Sequence, residues 1–158
     1  MLKIKMPMQP VRTDNAPTPG NYSQAVKLNG PGNLVYLSGQ TGNLPPNQNP
    51  SESLVEGGVG PQTTQAIKNL EAVLNAAGGN LSHVVKTTLY LKDLETNWAA
   101  CQEAYVSSFA NAGVQKERLP ARSTIEATVP FRSAGNLVEI DAIAFIPLPD
   151  LRDSSFPE

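Results

Sequence analysis

The most regular pattern of apolar and polar positions lies in the centre of the chain. Within residues 61–79, apolar side chains recur at spacings of three and four residues, at Ala66, Ile67, Leu70, Leu74 and Ala77. This spacing places them on one face of a helix. Pro61 stands where a first helical turn accepts proline, and Gly78-Gly79 stands where helices commonly end. The pattern therefore predicts an amphipathic helix.

A strict alternation follows at residues 83–93, and it predicts a strand. One face of this strand is expected to carry Val85, Thr87, Leu89 and Leu91, and the other Val84, Lys86, Thr88 and Tyr90. Helical spacing then returns from near Glu95, at Trp98, Cys101, Ala104, Tyr105, Ser108 and Phe109. A second helix is expected there, ending at residues 111–113, where Gly113 favours a C-terminal cap.

Four further stretches have the composition of strands. Residues 23–29 and 33–40 flank Gly30-Pro31-Gly32, which predicts a hairpin, and the last two strands are expected at 122–129 and 137–146. The resulting order, ββαβαββ, favours an α+β fold with two helices packed on one face of a mixed sheet.

The segments between these elements are rich in proline, glycine and asparagine. Residues 1–21 are expected to form an extended arm with little regular structure, 41–60 a loop, and 147–158 a loose tail. At 158 residues, the whole chain is expected to form one domain, 1–158.

Composition narrows the classes of function. The 40% apolar and 16% charged content is that of a globular protein, and the net charge of −2 without a basic run argues against nucleic acid as a partner.

The longest apolar run, 142–149, is too short to cross a bilayer, and no secretory signal is visible. We therefore expect no membrane partner and a cytoplasmic protein, with mitochondrial residence as the alternative. One cysteine and one histidine cannot build a usual zinc site, so no metal is expected.

Three charged residues interrupt the otherwise apolar C-terminal strands. Glu139 and Asp141 lie within a strand whose two faces are both largely apolar, so at least one carboxylate is expected to be half-buried and to need a partner. Arg122, at the start of the preceding strand, is the natural candidate. Composition alone favours a structural ion pair over a catalytic pair. In the catalytic alternative, the guanidinium of Arg122 binds a substrate carboxylate, and Glu139 handles a proton or a water molecule.

Four sequence blocks carry a family resemblance. "TDNAPTPGNYSQAV", "VYLSGQTG", "VVKTTLYLKDL" and "PARSTIEA…VEIDAIA" resemble, in order, the signature blocks of the reactive intermediate deaminase (RidA) family, also called the endoribonuclease L-PSP or translation-inhibitor family. The resemblance covers the chain from about Thr13 to Phe145. It implies a chorismate-mutase-like α+β fold and a homotrimer with clefts between subunits. It also implies hydrolysis of 2-imino acids, such as 2-iminobutanoate and 2-iminopropanoate, to 2-keto acids and ammonia without a metal or organic cofactor.

The resemblance assigns the two catalytic roles. Arg122 of "PARS" matches the residue that grips the substrate carboxylate, and Glu139 of "VEID" matches the acid linked to water activation. Asp141 matches a second acid with a structural role.

The resemblance also implies residues that line the cleft. Tyr22 of "GNYSQ" matches a tyrosine that lines it, and Ser38-Gly39 of "LSGQ" match its floor. Thr124 takes the small-residue position two after the arginine. Gln102 stands where many members carry asparagine, three residues before the helix tyrosine.

Two departures from the family pattern concern loop length. The segments 41–60 and 110–119 look longer than usual, and each could change the side chains that enter the cleft.

Two rival functions also stay open. One is an RNA-cleaving translation inhibitor, against which stand the acidic pI near 5.4 and the absence of a basic stripe. The other is a non-catalytic trimer that binds small carboxylates.

Overall fold

A computed structural model describes residues 6–16, 20–128 and 135–149. It contains six strands, Met8–Val11 (β1), Ala25–Leu28 (β2), Gly32–Thr41 (β3), Val84–Leu91 (β4), Ala121–Glu126 (β5) and Val138–Pro147 (β6). The two helices are Val59–Ala76 (α1) and Leu94–Asn111 (α2). Residues 1–5 and 17–19 of the predicted arm, residue 129 at the end of the predicted 122–129 strand, and the predicted tail beyond 149 lie outside the described residues.

A four-stranded mixed sheet, in the order β3-β6-β4-β5, forms the centre of the fold. Only β4 and β5 run parallel, because α2 connects them as a crossover helix, while β6 is antiparallel to both of its neighbours. Both helices pack on one face, where the apolar stripe of α1 meets the inward residues of β4 and β6. The predicted α+β class, with both helices on one side of a mixed sheet, is confirmed.

The predicted hairpin is wrong, because β2 pairs with the N-terminal arm. Strand β1 lies antiparallel to β2, with Met8 opposite Leu28, and the two form a separate two-stranded sheet. The buried side chain of Met8 packs against Val85 and Phe145. The arm therefore has regular structure that its prolines did not predict, since Pro10 needs no donor at an edge position.

The predicted faces of β4 hold except at its first two residues. A shift in pairing between Val84 and Lys86 places Val84 with the helix-side core and Val85 with the β1–β2 cluster, which reverses their expected faces. Such a bulge adds one residue and so breaks the period of two.

The alternation along β6 defines two environments. Val138, Ile140, Ala142 and Ala144 are buried against the helices. Glu139, Asp141 and Ile143 alternate with them and therefore point to the opposite face, here called the outer face. No helix in the described ranges is long and apolar enough to cross a membrane.

Candidate functional site

Arg122 lies inside a box of three aromatic rings. Its guanidinium carbon lies 4.9 Å from the ring centre of Tyr105, 5.6 Å from that of Trp98 and 5.7 Å from that of Tyr22. These distances allow cation–π attraction from three sides. The Nη1 nitrogen of Arg122 is buried and has no hydrogen-bond partner within the described residues.

Three elements build this box. Arg122 lies on β5 opposite Thr87 of β4, whose side chain faces the helices. The hydroxyl groups of Tyr105 and Thr87 lie 2.9 Å apart in a hydrogen bond, which fixes the tyrosine ring over the strand. Tyr22 is brought close because the next residue, Ser23, donates from its hydroxyl to the carbonyl of Leu119 at 2.6 Å.

The positive charge of Arg122 has no counter-charge in this box. Burial lowers the pKa of the guanidinium, but arginine stays protonated at neutral pH. Burial also raises the pKa of Tyr105 to about 12 and raises the pKa of the Cys101 thiol, so both neighbours are neutral at pH 7. A half-buried cation without a partner is costly, and the arrangement therefore favours an incoming anion.

Gln102, on α2, supplies a second unpartnered donor among the described residues. It is buried one turn from both Trp98 and Tyr105, and its Nε2 has no hydrogen-bond partner among the described residues. Thr124 lies two residues after Arg122 on β5 and so shares its face. We call Tyr22, Trp98, Gln102, Tyr105, Arg122 and Thr124 the Arg122 half-site.

Glu139 lies on the outer face, against the backbone of β3. A Cβ atom added at Gly39 would lie 2.7 Å from the carboxyl carbon of Glu139, so only glycine leaves room for this carboxylate. The neighbouring Ser38 is exposed, at a shift in the β3–β6 register. Ser38, Gly39 and Glu139 form what we call the Glu139 half-site.

The prediction of an ion pair between Arg122 and an acid of β6 is wrong: within the described chain, Arg122 forms no such pair. Arg122 faces the helices and Glu139 faces away from them, with β4 lying between their strands. Two inter-strand steps alone separate their backbones by about 10 Å. The physical reason is that the sequence pattern gives the period of each strand but not the face that its even positions occupy.

Asp141 has a different partner from the one expected. Its Oδ2 accepts a hydrogen bond from the Tyr90 hydroxyl at 3.2 Å, and its charge is the main cause that raises the pKa of Tyr90. On the same face, Lys86 donates to the Ser123 hydroxyl at 2.7 Å. These contacts connect neighbouring strands, which is consistent with a structural role for Asp141.

Trp98 and Tyr105 are site residues that the sequence pattern predicts only as part of the stripe of the second helix. The spacing of Trp98, Gln102 and Tyr105, at four and three residues, was the available signal, because it puts all three on one face of α2. What the pattern could not give is that this face lies over Arg122.

Comparison with known proteins finds a protein family that this chain matches. Residues 13–146 match the family model described as Endoribonuclease L-PSP. A RutC family protein from Pyrococcus horikoshii is 38% identical over 134 residues, which cover 84% of this chain and 94% of that protein. The mouse protein named 2-iminobutanoate/2-iminopropanoate deaminase is 39% identical over 135 residues, or 85% of this chain and 88% of the mouse protein.

The fold is similar to that of solved structures. The crystal structure of Escherichia coli TdcF with bound serine superposes with a TM-score of 0.60 at 28% identity. The superposition covers 86% of this chain and 97% of TdcF.

Proposed function

The chain belongs to the Endoribonuclease L-PSP (RidA) family, and on this premise we propose that it hydrolyses 2-imino acids to 2-keto acids and ammonia. The single observation that carries the proposal is the guanidinium of Arg122, which is boxed by aromatic rings and has a buried nitrogen with no hydrogen-bond partner among the described residues. A 2-imino acid carries a carboxylate next to its C=N bond. This group suits the forked donors of arginine.

Two further observations support a small carboxylate as the ligand. Gln102 offers another buried N–H donor, on the face of α2 that also carries Trp98 and Tyr105. The related TdcF was crystallised with serine, an amino acid that bears the same carboxylate group.

The reaction requires only water and a proton carrier. Water adds to the carbon of the protonated imine, the C–N bond then breaks, and the products are one 2-keto acid and one ammonium ion. In this proposal the carboxylate of Glu139 accepts a proton from the attacking water and returns it to the departing nitrogen. Arg122 fixes the position of the imine carbon by holding the neighbouring carboxylate, which supplies the proximity contribution to catalysis.

Because Arg122 and Glu139 occupy opposite faces of one chain, we propose that each complete site forms between two copies in a homotrimer. The outer face supports this assembly, since it exposes 73% of Tyr36 and about half of Leu34 and Ile125. Large apolar side chains grouped on one sheet face are typical of a protein–protein contact. A heterologous contact repeated around a ring would bring the Glu139 half-site of one copy to the Arg122 half-site of the next.

The decisive assay couples the purified protein to threonine dehydratase and follows the release of 2-ketobutanoate. The protein is expected to accelerate this release over the uncatalysed rate. Replacing Arg122 by alanine should lower kcat/KM by about 100-fold, because two charge-assisted hydrogen bonds of about 1.5 kcal/mol each are lost.

Arg118→Ala is the matched control, since Arg118 is an exposed arginine on the turn before β5. It should keep the wild-type rate. An Arg122→Ala variant as fast as the wild type would contradict the proposal.

A further inference from the structure

A groove of about 370 Å³ opens between α1 and the loop that follows β3. Its walls are Leu44 and Pro45 of the loop and Ala72 and Val73 of the helix, together with polar groups. Glu52 is the one charged side chain among the described residues that line it. The groove is larger than the ethyl group of 2-iminobutanoate requires, and the proposed reaction does not account for it.

The loop wall of this groove is preformed. Asn69 of α1 donates from its Nδ2 to the carbonyls of Thr41 and Asn43, at 3.0 and 2.9 Å. Asn43 in turn donates to the carbonyl of Glu52 at 2.7 Å and accepts from the Thr41 hydroxyl at 2.6 Å. A long loop held this firmly against a helix is more typical of a binding surface than of a simple connection.

Glu52 occupies an unusual backbone conformation at the end of this network. Its φ angle of 49° lies in the left-handed region, which non-glycine residues seldom adopt. The bond from Asn43 to its carbonyl, and its own amide donating to the carbonyl of Asn49 at 2.8 Å, hold it there. A strained residue on the wall of a groove suggests a functional use of that residue.

The groove reaches the Glu139 half-site through one residue. Gly39 lines the groove, and the same glycine lies against the carboxylate of Glu139. Because β3 is the edge strand of the sheet, a substrate whose imine carbon is held near Glu139 on the outer face would extend its side chain round this edge at Gly39 to enter the groove.

We propose that this groove binds the substrate's side chain, and that the protein favours 2-imino acids with a long apolar stem ending in a guanidinium or ammonium group. The inference rests on the proposed deaminase function and names its substrate class. The apolar walls suit the methylene stem, and the Glu52 carboxylate suits the terminal cation.

The test compares imines that an amino-acid oxidase generates from 2-aminobutanoate, norvaline, norleucine and arginine, with the full-length protein. If the groove holds the side chain, kcat/KM rises about fourfold for each added methylene. Glu52→Gln should then lower kcat/KM for the arginine-derived imine about threefold to fivefold, as expected for a partly exposed ion pair, and leave 2-iminobutanoate unchanged. Glu56→Gln, an exposed acid in the same loop that does not line the groove, is the control and should change neither.

A second variant fills the groove without touching the proposed catalytic groups. Ala72 is exposed on α1, so Ala72→Phe should fold normally, abolish the gain with chain length, and keep turnover of 2-iminobutanoate. Ala110→Phe places the same ring on an exposed position of α2 outside the groove and should behave as wild type. A rate that does not depend on chain length, or an Ala72→Phe variant that keeps the gain, overturns the inference while leaving the deaminase function standing.

Direct binding separates the two proposals if no imine is hydrolysed. Calorimetry would then compare 2-ketobutanoate with 5-guanidino-2-oxopentanoate, the keto acid that corresponds to arginine. Tighter binding of the guanidino acid, weakened by Glu52→Gln, supports the groove assignment even though the deaminase function has failed. Equal affinities, or no binding, overturn it.

Discussion

Replacing Gly39 by alanine perturbs the position of Glu139 with little change to the rest of the fold. The new Cβ atom would lie 2.7 Å from the carboxyl carbon and 2.9 Å from Cγ of Glu139, so the side chain has to move away. Restoring ordinary van der Waals contact at about 3.5 Å requires a shift of about 1 Å, and a misplacement of this size costs up to about 100-fold in rate. We expect kcat to fall about 10- to 100-fold, which corresponds to about 1.4–2.7 kcal/mol in the activation barrier.

The same structure predicts which quantities do not change. KM should stay near the wild-type value, because in the proposed assembly the substrate carboxylate is held by the Arg122 half-site of another copy. The midpoint of thermal unfolding should shift by only a few degrees, since Gly39 does not have a positive φ and the side chain of Glu139 is only half-buried. The measurement is steady-state kinetics with 2-iminobutanoate, together with a thermal melt.

Gly60→Ala is the matched control for this substitution. Gly60 lies in the first turn of α1, also without a positive φ, and a Cβ there would meet nothing closer than the carbonyl of Ala100 at 3.9 Å. A Gly39→Ala variant with wild-type kcat would show that the carboxylate position described here is not the catalytic one. A large loss of stability would instead assign Gly39 to folding.

Three other predictions concern stability and binding. Because burial raises the pKa of Tyr105 to about 12, this phenol ionises at a lower pH in the unfolded chain than in the folded one. The stability contributed by the neutral phenol is therefore complete below about pH 10, and it falls by about 2–3 kcal/mol toward pH 12. In denaturant titrations, Tyr105→Phe should lack this fall and should cost about 1 kcal/mol at neutral pH, since Thr87 loses its partner. Leu74→Ala should lower the free energy of unfolding by about 2–5 kcal/mol in the same titrations, because Leu74 is fully buried on the inner face of α1. Trp98 is the only tryptophan in the sequence and contacts Arg122, so 2-ketobutanoate should change its fluorescence in the wild type and not in Arg122→Ala.

Much of the fold could be predicted from local sequence patterns. The helix α1 was predicted from Pro61 onward and begins at Val59, and β4 and α2 lie within a residue or two of their expected bounds. In each case the period of the apolar residues and a capping residue act over a few neighbouring positions. The partners of the strands could not be predicted in this way. Strand β2 pairs with β1 and not with β3, and β1 is held by contacts of Met8 with Val85 and Phe145, which lie far along the chain.

The candidate site shows the same division between local and distant information. The residue types of Arg122 and Glu139 stand out in the sequence as charges in apolar strands. The aromatic box is less visible, because Trp98 and Tyr105 look like ordinary residues of a helix stripe until α2 is seen to lie over β5. The opposite faces of Arg122 and Glu139 follow from the sheet order, which depends on long-range pairing.

The central claim is that a complete site takes Arg122 from one copy and Glu139 from another. It is tested most directly by coexpressing Arg122→Ala and Glu139→Gln, each strongly impaired alone, and measuring the 2-iminobutanoate deaminase activity of the purified mixed trimers. A site has both wild-type residues when a Glu139→Gln copy supplies Arg122 and an Arg122→Ala copy supplies Glu139. With random assembly of equal amounts, each of these two conditions holds for about half of the sites, so about a quarter of the wild-type activity should return. If the mixed trimers stay as inactive as either parent, the two residues do not act across a contact between copies, and the account is contradicted.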